Sequence, residues 1–363
     1  MALIAAIESA CYSFLMDQKK VFECPQTVCN ALFFQRIFVV CVAAAALAAG
    51  GCGGAVDDNQ RPTVVATTTI VADLARQIGG DQVEVVSLMG PGIDPHSYRP
   101  TPRDADRLAR ADLVLASGLH LEGKLGELLE RMGRRKPVVF VAEAVAGAAR
   151  LDAAAGIPDP HVWFDLSLWT ACIDPTVVAL AEQVPEAAEA FKAAGDRYRE
   201  ILLAAHEEVK AAVATIAPQQ RVLVTAHDAF RYFGRAYGIE VVGVQGVSTE
   251  SEAGLADINR LVDLLVERKV PAVFVETSVP DRSVKAICEG AAARGHEVTT
   301  GGRLYSDALG ESGSGAETLE SAIRANVAVI VEALGGVAAE SGDAVQQQAA
   351  EPVNAPGDTA NAP

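Results

Sequence analysis

The chain reads as an α/β protein of two lobes, each a roughly four-stranded parallel sheet flanked by helices, joined by one long rigid backbone helix. Three observations predict this. From Pro62 onward, short Val-rich runs alternate with amphipathic stretches, the pattern that parallel βαβ packing leaves in a sequence. The alternation breaks once, between Pro185 and about Ala217, where strand formers are few and apolar residues recur at helical spacing. The length of 363 residues suits about two domains at roughly 150 residues each.

In the first lobe the order is TVVATT, IVADLARQIGG, QVEVVSLM, PRDADRLARA, DLVLAS, EGKLGELLERMG and PVVFVA. The second repeats it with RVLVTA, DAFRYFGRAYG, IEVVGVQ, AGLADINRLVDLLVERK, PAVFVET, RSVKAICEGAAARG and HEVTT, then a closing helix near Ala316 to Leu334. The linking helix, at about 1.5 Å per residue, would be roughly 45 Å long and would act as a stiff spine. These readings set boundaries of 62–184 for the first lobe, 185–217 for the helix and 218–337 for the second lobe. Residues 338–363, rich in Ala, Gly, Gln, Asn and Pro without periodicity, read as a disordered tail.

Residues 1–52 read as an export signal. Lys19, Lys20 and Arg36 precede an uncharged run from Ile37 to Gly51, which is short for a membrane span of about 20 residues. A short linker, 53–61, follows it. Four of the seven cysteines would leave with the signal, and Cys172 and Cys288 remain in the body as expected unpaired thiols. Half the residues are hydrophobic, so the body can build a core. With 47 acidic against 30 basic residues the net charge is -17, which argues against a nucleic-acid partner. Acidity of that kind makes a solvated exterior and need not mark a site.

Chemistry concentrates on three of the six histidines. His96 in GPGIDPHSYRPTP, His161 in IPDPHVWFDLSLW and His227 in VLVTAHDAFRYFG stand beside turn signals at strand ends, where open α/β sheets present ligand-binding residues. Pro95 and Pro160 restrict the backbone just before two of them. His120, His206 and His296 read as surface or packing residues. Taken alone, two DPH strings leave open a turn-building role. Thr249 and Glu252 read as a helix capping box.

Together, DPHSYRPTPRD, ADLVLASGLHLEGKL, DPHVWFD, AHDAFRYFGRAYGIEVVGVQGVSTESEA, PAVFVETSVP and GGRLYSDALG resemble the zinc- and manganese-binding lipoproteins of ABC importers, the TroA-like solute-binding proteins. The likeness runs from Pro62 to Leu334. It implies metal ligands at His96, His161, His227 and Asp307, two from each lobe. It also implies a glutamate, Glu122, placed to accept the outer N–H of a ligating imidazole, although a first-turn helix acid explains Glu122 as well. Glu276 matches the family pattern at a strand end and is not read as a ligand. Small residues before Cys52 resemble a lipobox, which implies lipidation there and a lipid anchor to the membrane; simple cleavage or a retained anchor remain the alternatives.

Three imidazoles and one carboxylate suit zinc first and manganese second. The absence of histidine between 131 and 160, where many zinc-specific relatives carry a His-rich loop, weighs against a zinc-only site. The resemblance thus implies a monomeric, non-enzymatic receptor, outside the cytoplasmic membrane or in the periplasm, that delivers metal to an ABC permease and needs no catalytic cofactor. A metal-binding adhesin is one alternative. A zinc hydrolase is the other, disfavoured because four protein ligands leave no position for water and no HExxH or GxSxG string is present.

Overall fold

The computed structural model describes residues 61–154 and 156–337. The expected signal, Cys52 and the expected tail lie outside the described residues. These described residues form one compact unit.

The first lobe is built on β1 (Thr63–Ala66), β2 (Glu84–Ser87), β3 (Leu113–Ala116) and β4 (Val138–Phe140). They form a single parallel sheet in the order β2-β1-β3-β4. The connecting helices are α1 (Thr69–Gly79), α2 (Pro102–Arg110) and α3 (Gly123–Met132). The first two start with capping chemistry: Thr68 accepts from the Val71 N–H, and Thr101 with Asp104 makes a reciprocal capping box ahead of Pro102. A small antiparallel pair, β5 (Asp152–Ala154) and β6 (Ile157–Pro158), leads into the second DPH string. Two helices that the sequence reading did not assign follow it, α4 (Leu166–Trp169) and α5 (Ile173–Gln183).

Next comes the spine, α6 (Ala188–Ala214), 27 residues long and entered through a single 3-10 turn at Pro185–Ala187. It packs against α1, α4 and α5 on one side of the molecule's midline. On the other side it meets α7 (Arg231–Tyr237) and α10 (Leu319–Ala333). Gly195 permits the close crossing with α5, since a Cβ there would stand 2.9 Å from both Ile173 and Val177 methyls.

The second lobe carries β7 (Val222–His227), β8 (Glu240–Gln245), β9 (Ala272–Glu276) and β10 (Thr299–Leu304), with α8 (Leu255–Arg268) and α9 (Arg282–Ala293) between them. Here the four strands form two parallel pairs, β7 with β8 and β9 with β10, and β7 lies alongside β9. The last strand begins three residues later than HEVTT suggested, because Thr299 to Leu304 is the stretch that finds β9 as a partner.

One hydrophobic cluster runs without a break from the first lobe through the spine to the second, including Leu74, Trp163, Phe191, Leu202, Phe230, Phe274 and Ile330. Two smaller clusters cover the outer faces. Interiors packed as densely as organic crystals resist shear, so a shared core stiffens the junction. Of the two thiols, Cys172 is buried and Cys288 half-buried, and neither is bonded to another cysteine. Among the described residues no helix is long and apolar enough to cross a membrane.

Candidate metal centre

His96 and His227 come from the ends of parallel strands, and His161 from the end of the small antiparallel pair. His96 follows β2 and His161 follows β6, His227 is the last residue of β7, and Asp307 follows β10. The two DPH strings build the same local turn. Asp94 Oδ1 accepts from the His96 backbone N–H at 2.9 Å, and Asp159 Oδ1 accepts from that of His161 at 3.0 Å.

The structure brings the four expected ligands together. His96, His161, His227 and Asp307 are all buried, and one ligating atom from each lies within 4.8 Å of the others. His161 Nε2 stands 3.2 Å from His96 Nε2, 3.4 Å from His227 Nε2 and 3.4 Å from Asp307 Oδ1, and His227 Nε2 is 3.5 Å from Asp307 Oδ2. A tetrahedral ion with bonds of about 2.0–2.1 Å spaces its ligands roughly 3.3–3.4 Å apart. His161 Nε2 stands at about that spacing from all three of its neighbours, and His227 Nε2 stands close to it from the second Asp307 oxygen.

The outer nitrogens decide what the inner ones can do. Asp159 Oδ1 lies 2.8 Å from His161 Nδ1, and Glu276 Oε2 lies 2.6 Å from His227 Nδ1. An ionised carboxylate only accepts, so each Nδ1 carries the proton and each neutral ring turns a bare Nε2 lone pair inward. Glu276 also accepts from the His227 backbone N–H through Oε1 at 2.8 Å, clamping ring and backbone together. Asp307 Oδ2 accepts from Ser278 Oγ at 3.1 Å, whereas Oδ1 is buried with no hydrogen-bond donor. Lone pairs and a carboxylate oxygen at these separations repel one another unless a cation or protons stand between them.

The electrostatics agree with a cation-seeking site. Burial pulls the His96 pKa down to about 4, against the pull of Asp307. Burial opposes charge on His161 too, but the neighbouring carboxylates of Asp159 and Asp307 outweigh that and raise its pKa. His227 is raised well above the usual range because Glu276 and Asp307 overcome the effect of burial. Burial would push Asp307 up, yet the neighbouring His227 and His161 hold it well below ordinary carboxylates. In the metal-free protein, protons on His161 and His227 can stand in for the ion.

Other sequence-singled residues lie elsewhere. Glu122 serves no imidazole. Its buried carboxylate accepts from Thr67 Oγ at 2.8 Å and from the backbone N–H groups of Ser117 and Gly118 at 2.6 and 3.1 Å. It thereby holds the left-handed turn through Gly118, Leu119 and His120. Thr249 and Glu252 form no capping box, because α8 starts beyond them: Asp257 accepts from the Gly254 N–H, while Thr249 Oγ1 donates to Asp94 Oδ2 at 2.6 Å. Glu252 faces Arg282. His206 and His296 bond to Tyr237 and to the Val270 carbonyl, and His120 is exposed. Sequence reasoning missed Asp159 as a ring partner although it sits in the DPH string. Nothing in the sequence ties Glu276 to His227, 49 residues away.

A two-lobed α/β receptor with three imidazoles and one carboxylate buried between its strand ends is a metal-binding solute-binding protein in form. The family described as "zinc-uptake complex component A periplasmic" matches residues 64–333, and the chain belongs to it. It is 46% identical over 265 residues to the manganese-binding lipoprotein MntA of Bacillus subtilis, covering 73% of this chain and 87% of that one. To the zinc-binding protein TroA of Treponema pallidum it is 40% identical over 265 residues, covering 73% and 86%. The solved structure of that periplasmic zinc-binding protein superposes with a TM-score of 0.74 over 76% of this chain and 99% of the other.

Proposed function

We propose that this protein is the extracytoplasmic receptor of a metal ABC importer, which captures one divalent transition metal ion and hands it to a permease in the cytoplasmic membrane. His96, His161, His227 and Asp307 are its ligands. One observation carries the reading: inward-facing imidazole lone pairs meet a buried carboxylate oxygen that has no hydrogen-bond donor. Family membership supports the transport role, and binding, with no catalysis, is the whole of it. Zinc is the first choice, because the ligand set and spacing suit a four-coordinate ion. Manganese is the second: Asp307 points Oδ1 toward His161 and Oδ2 toward His227, so both oxygens can reach one ion and raise its coordination number. A lipid at Cys52 keeps the monomeric receptor at the outer face of the membrane. The lobes are 62–184 and 218–337, joined by the helix between them. Competition titration of zinc against manganese, with elemental analysis of the native protein, tests the reading. About one metal per chain is expected, and His161→Ala should lose most of it; unchanged metal content would refute the ligand set.

A further inference from the structure

Behind His161 stands a second layer of contacts that comes from the opposite lobe. The residues are Arg231 and Tyr232, the first two of α7, four and five positions after the ligand His227. Arg231 Nη1 donates to the Asp152 carbonyl at 2.8 Å and lies 3.4 Å from Asp159 Oδ2, the oxygen that the His161 ring leaves free. Its Nε faces Asp228 Oδ2 at 3.6 Å. Tyr232 is wholly buried, and its hydroxyl donates to the Asp159 carbonyl at 3.0 Å while accepting from the Leu151 N–H at 2.9 Å. Asp159 is thus held at its carbonyl and its carboxylate by a helix of the second lobe, while its other oxygen holds both the ring and the backbone N–H of His161.

We propose that Arg231 and Tyr232 are positioning residues for the metal site: acting through Asp159, they set where the His161 ring stands. One short segment of the second lobe then supplies a ligand, His227, and orders a ligand of the first lobe. The two halves of the coordination shell assemble together, and the guanidinium balances the charge of an acid buried beside the metal. Displacing α7 relative to β6 would move Asp159 and so loosen His161. The inference rests on the metal-receptor reading above.

The test is cobalt binding to the full chain, followed through its visible absorption bands and by competition with a chelator, in the parent and in Arg231→Gln, Arg231→Lys and Tyr232→Phe. Outer partners of metal-bound histidine are worth about 10–100-fold in affinity, and Arg231→Gln, one contact further out, should cost about tenfold and shift the bands. Arg231→Lys, which keeps a cation near Asp159, should recover most of the loss, with the melting temperature of the metal-free chain changed by less than about 2 °C. Unchanged affinity and bands in Arg231→Gln and Tyr232→Phe would overturn the proposal. So would a loss that lysine does not restore and that tracks a lower metal-free melting temperature, since those side chains would then only hold the fold. A parent chain that binds no cobalt, zinc or manganese would instead refute the receptor reading itself.

Discussion

Replacing Glu276 by glutamine changes one atom of a wholly buried side chain and should disable His227 as a ligand. The carboxylate accepts twice, from the His227 backbone N–H at 2.8 Å and from Nδ1 at 2.6 Å. Glutamine has one acceptor and one donor end. Its oxygen must stay on the backbone N–H, which leaves its NH2 facing Nδ1. The imidazole then accepts at Nδ1 and carries its proton on Nε2, pointing at His161 Nε2 and Asp307, where the ion should sit. To bind metal, the ring must return to the Nδ1–H form against a donor. That forfeits a charge-assisted hydrogen bond of about 1.5–3 kcal/mol and leaves a buried donor unsatisfied at about 1–3 kcal/mol. At about 1.4 kcal/mol per factor of ten, the affinity for zinc should fall by about 100-fold or more. Chelator competition measures the loss, and nitrogen-15 chemical shifts of His227, recorded in the metal-free chain at a pH high enough to leave the ring neutral, report the tautomer directly. A glutamine variant that folds and binds zinc within about threefold of the parent would refute the reasoning, because tautomer control by Glu276 would then not limit coordination.

Further expectations follow from the same geometry. Zinc at about 100 times its dissociation constant should stabilise the chain by about 2.7 kcal/mol, seen as a rise in melting temperature of roughly 5–10 °C; a thermal shift with and without chelator checks this. Because His161 and His227 have raised pKa values, protons compete with metal at those nitrogens, so affinity should fall as pH drops and loading should release protons into weakly buffered solution. Affinity independent of pH between about 5 and 8 would contradict that account. Gly195→Ala should destabilise the protein despite alanine's helical preference of about 1 kcal/mol, because the new methyl would meet Ile173 and Val177 at 2.9 Å. Urea unfolding measures it, and a more stable variant would show that α5 and the spine can part cheaply.

Much of the fold was legible because the physics behind it is local. Val-rich runs such as those of β1, β3, β7 and β9 are buried on both faces, so their apolar character announces parallel strands. The spine announced itself by the lack of strand formers. Less legible were α4 and α5, where a short 3-10 segment, Thr170–Cys172, interrupts the helical rhythm. Capping at Thr249 also misled, since whether Thr-x-x-Glu caps a helix depends on where the helix starts, and Gly254 starts this one.

By itself the sequence determined the residue types that can hold a soft divalent cation, the turns that present His96 and His161, and the lobe order that spaces them. It did so because caps, turns and apolar periodicity act over a few residues. Asp159 reaches the His161 ring from within its own turn, but only the tertiary structure decided which carboxylate serves His227 and what holds Asp159 from behind. Glu276 reaches His227 because β7 lies beside β9, and Asp159 owes its place to Arg231 and Tyr232 from the other lobe. Glu122, with a sequence context that suggested the same duty, is consumed by the N–H groups of its own turn. A carboxylate goes to whichever donors packing leaves unsatisfied around it, and that competition is settled by contacts far apart in the chain.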